Sequence, residues 1–352
     1  MKKWLKLISL IYLFILSIEL IKKASLLLAP NINDFLLQNL TPLKAVSFGW
    51  FITSIVQSSG ALGSVTAAFA GYNLVTLPIA VYISIGASLG TTITALIISL
   101  LTVAKQRRDF RHGFEIALCY SIYAIFLVIF IFILEYFFGL FSKSSFFLAS
   151  FFQGKFSSLM LPDLIGGITS PIINLLFKIK SNFFLLILGF GFLLFTLKFL
   201  GKSIIEVLGG ENSAKKFINK FFDSKIKTYF IGVFLTAIVF SSSITIGLLV
   251  PLAVSRLINL KKAIPFILGA DLGTFTNVFL ASIIIGNVNS LATAFIYFLI
   301  SLFGGLVFLP NVNFLFKTTK YISKKIIHIS RKKAFYILIG FILLPLLIIL
   351  IF

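Results

Sequence analysis

The chain has 352 residues, 59% of them hydrophobic and 12% charged, with a mean hydropathy of +1.10. A soluble domain carries about twice that share of charge, so a water-soluble globule is excluded, and so is a disordered chain, which needs low hydrophobicity. One cysteine and two histidines exclude a disulfide scaffold and a cysteine-ligated metal site, and leave a net charge of +21 to be explained.

Seven apolar stretches are long enough to cross a bilayer as helices: residues 4–20, 78–101, 113–138, 182–200, 263–285, 291–309 and 334–352. The first follows Lys2 and Lys3 as a signal peptide would. No clean small-x-small cleavage site follows it and Lys22-Lys23 closes it, so it reads as a retained helix. Residues 46–72 and 229–255 are also apolar, but each is interrupted centrally, by Gln57-Ser58-Ser59-Gly60 and by Phe240-Ser241-Ser242-Ser243. Serine competes for backbone hydrogen bonds and glycine loosens the chain. Backbone broken at membrane depth survives only inside protein or beside a wet cavity. Each stretch therefore reads as a re-entrant hairpin with its tip near the midplane. Residues 22–44 and 201–228 mix charge and apolar side chains at helical spacing and read as helices lying in the membrane plane.

With the hairpins returning to their own side, 23 Lys and Arg fall on the side of the N-terminus and 7 on the other. That asymmetry marks the first side as cytoplasmic, puts the C-terminus outside, and explains the basic balance without a nucleic-acid partner. Residues 49–96 align without a gap on residues 232–279, at an offset of 183, with 16 of 48 positions identical. The matches include Thr53/Thr236, Ser58-Ser59/Ser241-Ser242 and Gly86-Ala87-x-Leu89-Gly90-Thr91/Gly269-Ala270-x-Leu272-Gly273-Thr274. An odd number of crossings per copy inverts the second copy. The expected fold is an all-α polytopic membrane protein with two inverted-topology repeats and about seven crossings, as in secondary transporters. Its parts are repeat 1 at residues 1–139 (hairpin 46–72), an extracytoplasmic linker at 140–180, repeat 2 at 181–309 (hairpin 229–255), and a basic cytoplasmic linker with one more helix at 310–352.

At these motifs the sequence resembles the bacterial branch of the type II sodium/phosphate cotransporter family. That family has a Gln-Ser-Ser-Ser signature in each repeat, followed by a helix with Gly-Ala-Asn-x-Gly-Thr-Thr. The second signature here has Phe240 for Gln, the first ends in Gly60, and the two asparagines are Ser88 and Asp271. The resemblance implies sodium-coupled phosphate symport by alternating access across the cytoplasmic membrane. The alternatives are transport of another anion, phosphate export, or a non-transporting scaffold with degenerate motifs. An enzyme is not expected, since no plausible histidine base or paired carboxylates accompany the serines. Substrate candidates are Gln57, Ser58, Ser59, Ser241, Ser242 and Ser243. Sodium candidates are Asp271, Ser88, Thr91, Thr92, Thr274, Thr53 and Thr236. Neither hairpin tip has a Lys or Arg, so a co-bound cation would have to help neutralise the anion. No cofactor beyond Na+ is expected. The expected partners are phosphate, sodium and the lipid bilayer, with a second copy of the chain as a further candidate.

Overall fold

A computed structural model describes residues 3–13, 16–17, 20, 24, 40–101, 107–156, 161–179, 181–207, 210, 213, 222, 224–254, 258–327 and 331–351. The in-plane segment expected at 22–44 falls largely outside them; of the one expected at 201–228, residues 201–207 continue the helix Asn182–Val207 and 225–228 begin the helix Lys225–Val239, and much of the stretch between lies outside the described residues. The first helix is described chiefly over residues 3–13.

Every regular element among the described residues is helical. The order is α1 (Pro42–Val56), α2 (Ser59–Gly71), α3 (Leu77–Leu101), α4 (Arg107–Phe138), α5 (Leu140–Phe156), α6 (Leu161–Leu176), α7 (Asn182–Val207), α8 (Lys225–Val239), α9 (Ser242–Val254), α10 (Leu260–Gly273), α11 (Phe275–Ile285), α12 (Val288–Phe308), α13 (Val312–Ile327) and α14 (Arg331–Ile351). Among the described residues four helices are long and apolar enough to cross a membrane: Leu77–Leu100, Phe110–Phe138, Leu260–Ile285 and Val288–Phe308. Their outer faces and those of α8 and α14 expose large apolar side chains, among them Phe130, Phe137, Phe230, Phe234 and Leu350. Water leaves few such contiguous surfaces on a soluble protein.

Both interrupted stretches are broken where the serines fall. α1 begins with Pro42 behind the capping hydroxyl of Thr41 and ends at Gln57, whose φ of 58° is left-handed and whose N–H bonds the Thr53 carbonyl at 2.7 Å. Ser58 is extended, and its Oγ accepts the Ala61 N–H at 3.2 Å, which starts α2. In the second copy Phe240 takes the left-handed turn, with φ 55°, and the Ser241 Oγ accepts the Ile244 N–H at 3.2 Å.

Glycines then set the course of each hairpin. A side chain on Gly49 would overlap the Ile83 carbonyl, one on Gly86 the Val46 carbonyl, and one on Gly90 the Trp50 carbonyl. The contacts climb both helices together, so α1 and α3 run parallel with their backbones touching. The 13-residue α2 between them must therefore bring the chain back. At the 183-residue offset the same contacts recur: Gly232 meets Phe266, Gly269 meets Tyr229, and Gly273 meets Val233 and Thr236. α8 thus runs parallel to α10.

Three features lie outside the sequence expectation. The stretch read as a linker, 140–180, contains helices α5 and α6, and α5 packs along α12. Its first turn is capped by buried Glu135, whose Oε2 accepts the N–H groups of Phe141 and Ser142 at 2.8 and 3.2 Å. The span at 263–285 tightens at Thr274, whose N–H bonds the Asp271 carbonyl three residues back. Finally, the basic α13 folds back along α4. There the buried Glu115 carboxylate accepts from Lys320 at 2.6 Å, Arg111 at 2.9 Å and Ser323 at 3.0 Å.

Candidate functional site

The two hairpin tips meet. The Ser243 hydroxyl donates to the Gln57 carbonyl at 3.1 Å, across 186 residues of sequence. The Asn277 side chain on α11 donates to the Phe240 carbonyl at 2.9 Å. Behind the first tip, the Ser59 N–H bonds Thr91 Oγ1 at 3.3 Å and the Tyr297 hydroxyl donates to the Ser59 carbonyl at 3.3 Å. A left-handed residue followed by a helix N-terminus leaves carbonyl and N–H groups without helical partners. These bonds satisfy part of that set.

Beside the tips lies a cavity of about 470 Å³. Its polar wall is Gln57, Ser58, Thr94, Ser241 and Ser243, and its apolar wall includes Phe195, Phe240, Ile55 and Ile244. Among the described residues no charged side chain lines it. Gln57 is exposed to it, while Ser59 and Ser242 are buried one residue behind. Four of the six substrate candidates thus share one cavity, and the other two, Ser59 and Ser242, begin α2 and α9 just behind it.

The sodium candidates do not form one cluster. Thr91 receives the Ser59 N–H at the first tip. Thr92 bonds the Leu89 carbonyl and accepts from Ser121. Thr274 bonds the Ala270 carbonyl at 3.3 Å. Thr236 pairs with Thr245 at 2.7 Å, whereas its repeat mate Thr53 faces Leu62 at the position equivalent to Thr245 and has a buried hydroxyl without a partner. Ser88 is buried in α3. The run Gly86-Ala87-Ser88-Leu89-Gly90 spells a nucleophile-elbow pattern, but it sits inside a helix rather than at a strand-to-helix turn.

Asp271 is away from the cavity wall and 4% exposed. It accepts the Tyr123 hydroxyl at 2.9 Å and that of Ser301, with Tyr120, Tyr229 and Tyr297 around it. Among the described residues no cationic side chain pairs with it, in contrast to Glu115. An unpaired buried charge costs several kcal/mol, so this carboxyl takes up either a proton or a cation. No group of three His, Cys, Asp or Glu forms a metal site among the described residues. Sodium does not need one, because neutral oxygens suffice.

Motif reading missed Thr94 and Asn277. They are repeat mates, 183 residues apart, and lie just beyond the Gly-Ala-x-Leu-Gly-Thr motif. Thr94 Oγ1 and Asn277 Oδ1 are both buried without a hydrogen-bond partner. Each such orphan costs about 1–3 kcal/mol, which makes both atoms candidates for a ligand. The signal in the sequence was their place three residues past the motif, on the same helix in the first copy and just beyond the break at Thr274 in the second.

Helical spans long enough for a bilayer, with broken helices paired at their tips beside a cavity, define a polytopic helical membrane protein. The sequence model of the Na+/Pi-cotransporter family matches residues 13–202 and 192–344, and the chain belongs to that family. Over 114 residues it is 30% identical to sodium-dependent phosphate transport protein 2B of Homo sapiens and of Pongo abelii, a stretch covering 31% of this chain and 16% of each relative. No solved structure matches it.

Proposed function

We propose that the protein is a sodium-coupled phosphate symporter of the cytoplasmic membrane, working by alternating access. The observation that carries this is the convergence of two serine-capped hairpin tips on one cavity without charged side chains. Phosphate needs countercharge in such a place. The N-termini of α2 and α9 offer N–H groups and positive dipole ends, and Ser58, Ser59, Ser241, Ser242 and Ser243 offer hydroxyls. A sodium ion about 4 Å away would add about 4 kcal/mol at an effective dielectric of 20. Asp271 is the proposed sodium side, with Ser88, Thr53, Thr91, Thr92, Thr236 and Thr274, spread over α1, α3, α8 and the end of α10, as further candidate oxygen ligands.

The proposed topology is two inverted repeats, at 1–139 and 181–309, with seven crossings, re-entrant hairpins, a cytoplasmic N-terminus and an external C-terminus. Three contacts support it. Lys6 pairs with Glu206 at 3.0 Å, as two cytoplasmic helix ends should. Asn287 and Asn289 bond Gly71 and Asn73 at 2.9 Å, both on the external side. Glu115 holds α13 against the cytoplasmic end of α4. A cysteine placed at position 108 is expected to react with an impermeant maleimide only from the cytoplasmic face. Labelling from outside overturns the inverted arrangement.

The function is tested by uptake of radiolabelled phosphate into proteoliposomes, with sodium outside or potassium in its place. Uptake that potassium supports equally rejects sodium coupling, and uptake of another anion in preference to phosphate rejects the substrate. In the same assay Gln57→Ala removes the one side-chain amide on the cavity wall. It is expected to raise the phosphate KM about tenfold at saturating sodium, the loss of about 1.4 kcal/mol, and to move the sodium activation curve less than about twofold.

A further inference from the structure

The carboxamide of Asn277 is buried and held in place at the second hairpin tip. Its side chain is 1% exposed. Its Nδ2 is committed to the Phe240 carbonyl, which orients the amide and turns Oδ1 into a buried acceptor with no donor. Room for it comes from Gly60: a Cβ there would overlap Nδ2 and stand 2.9 Å from Cγ. The repeat mate of Gly60 is Ser243, which fills the corresponding space and donates to the Gln57 carbonyl. Both tips thus have a side chain donating to the carbonyl of the left-handed residue, from the opposite hairpin in one copy and from α11 in the other. In the second copy the side-chain amide is missing at Phe240 and present at Asn277.

Building on the symport reading, we propose that Asn277 Oδ1 is a ligand of the coupling sodium ion, replacing at the second tip the amide that Phe240 removes. The chemistry selects a cation over the anion. Most oxygens of hydrogen phosphate are anionic acceptors that a bare amide oxygen repels, and only a P–OH could donate to it, whereas a cation is attracted whatever its orientation. Sodium takes neutral oxygens, the kind of ligand that amides and unwound backbone supply in transporters with broken helices. Gly60 then belongs to the sodium site as the residue that leaves space for the amide.

The test uses the full chain in proteoliposomes, with equilibrium binding of radioactive sodium and the sodium activation of phosphate uptake as readouts. Asn277→Leu is expected to raise half-saturating sodium about tenfold while the phosphate KM at saturating sodium changes less than about threefold. Asn277→Asp keeps the oxygen but cannot donate to Phe240. A ligand role predicts half-saturating sodium at or below the wild-type value, whereas a purely structural cap predicts that Asp behaves like Leu. Gly60→Ala should raise half-saturating sodium in the wild-type background and add nothing in an Asn277→Ala background. That pair decides the matter even if the leucine variant does not fold. An unmoved sodium curve in Asn277→Leu, an aspartate variant as impaired as leucine, or additive shifts for Gly60→Ala and Asn277→Ala overturn the assignment. Wild-type uptake indifferent to sodium overturns the symport reading instead.

Discussion

Gly269→Ala and Gly86→Ala are each expected to yield protein that is largely unfolded or aggregated after extraction in mild detergent. A methyl group on Gly269 would overlap the Tyr229 carbonyl, and one on Gly86 the Val46 carbonyl. Backbone cannot rotate aside as a side chain can, so the helices must part. Overpacking of this kind costs typically 1–3 kcal/mol, and more where backbone must move, so about 3 kcal/mol is expected. Controls lie in the same chain. Gly191 and Gly340 have nothing within 4 Å of a new Cβ. Alanine there should leave the melting temperature unchanged or raise it slightly, because alanine favours helix over glycine by up to about 1 kcal/mol. Equal melting temperatures for all four variants would show that the glycine contacts are not tight.

Asp271→Asn is expected to raise half-saturating sodium about tenfold, or about 1.4 kcal/mol, with a smaller effect on phosphate KM at saturating sodium. Of three buried carboxylates, Glu115 is neutralised by Arg111 and Lys320, and Glu135 is spent on the first turn of α5. Asp271 has only hydroxyl donors, from Tyr123 and Ser301. A carboxylate so placed attracts a cation. Asparagine preserves size and keeps one acceptor oxygen, and a hydroxyl left facing its NH2 can turn to accept from it, so a change in sodium activation reports charge rather than shape. If the group is a protonated carboxylic acid, asparagine mimics it and the sodium curve stays where it was.

The broken helices were legible because serine and glycine at apolar depth are poor helix material, and both breaks fall beside Ser58 and Ser241. The glycines of the repeated motif were legible as a pattern but not as a contact. Their role depends on the parallel course of α1 and α3, which no spacing reveals. The site was half legible. Gln57, Ser58, Ser241 and Ser243 reach one cavity, but Asp271 meets a tyrosine 148 positions away. Thr94 and Asn277 lie past the motif and announce themselves only by unpaired oxygens. The region at 140–180 read as a linker because serines and charged residues dilute its apolar run, yet α5 buries a face against α12.

The glycine seams also decide which joints can slip. To slide one turn along α3, about 5.4 Å, α1 would have to drive a side chain into the gap that Gly49 or Gly86 leaves at a carbonyl. The same holds for α8 on α10 through Gly232 and Gly269. Each descending arm is therefore welded to its long helix and travels with it. The two tips themselves touch more lightly, through single hydrogen bonds such as Ser243 to Gln57, each worth about 1 kcal/mol. The returning arms behind them are held differently: α2 buries its alanines and valine against α11 and α12, and α9 packs on α3 and α4, so each copy's stiff pair is clasped to the other copy by the arm it sends back.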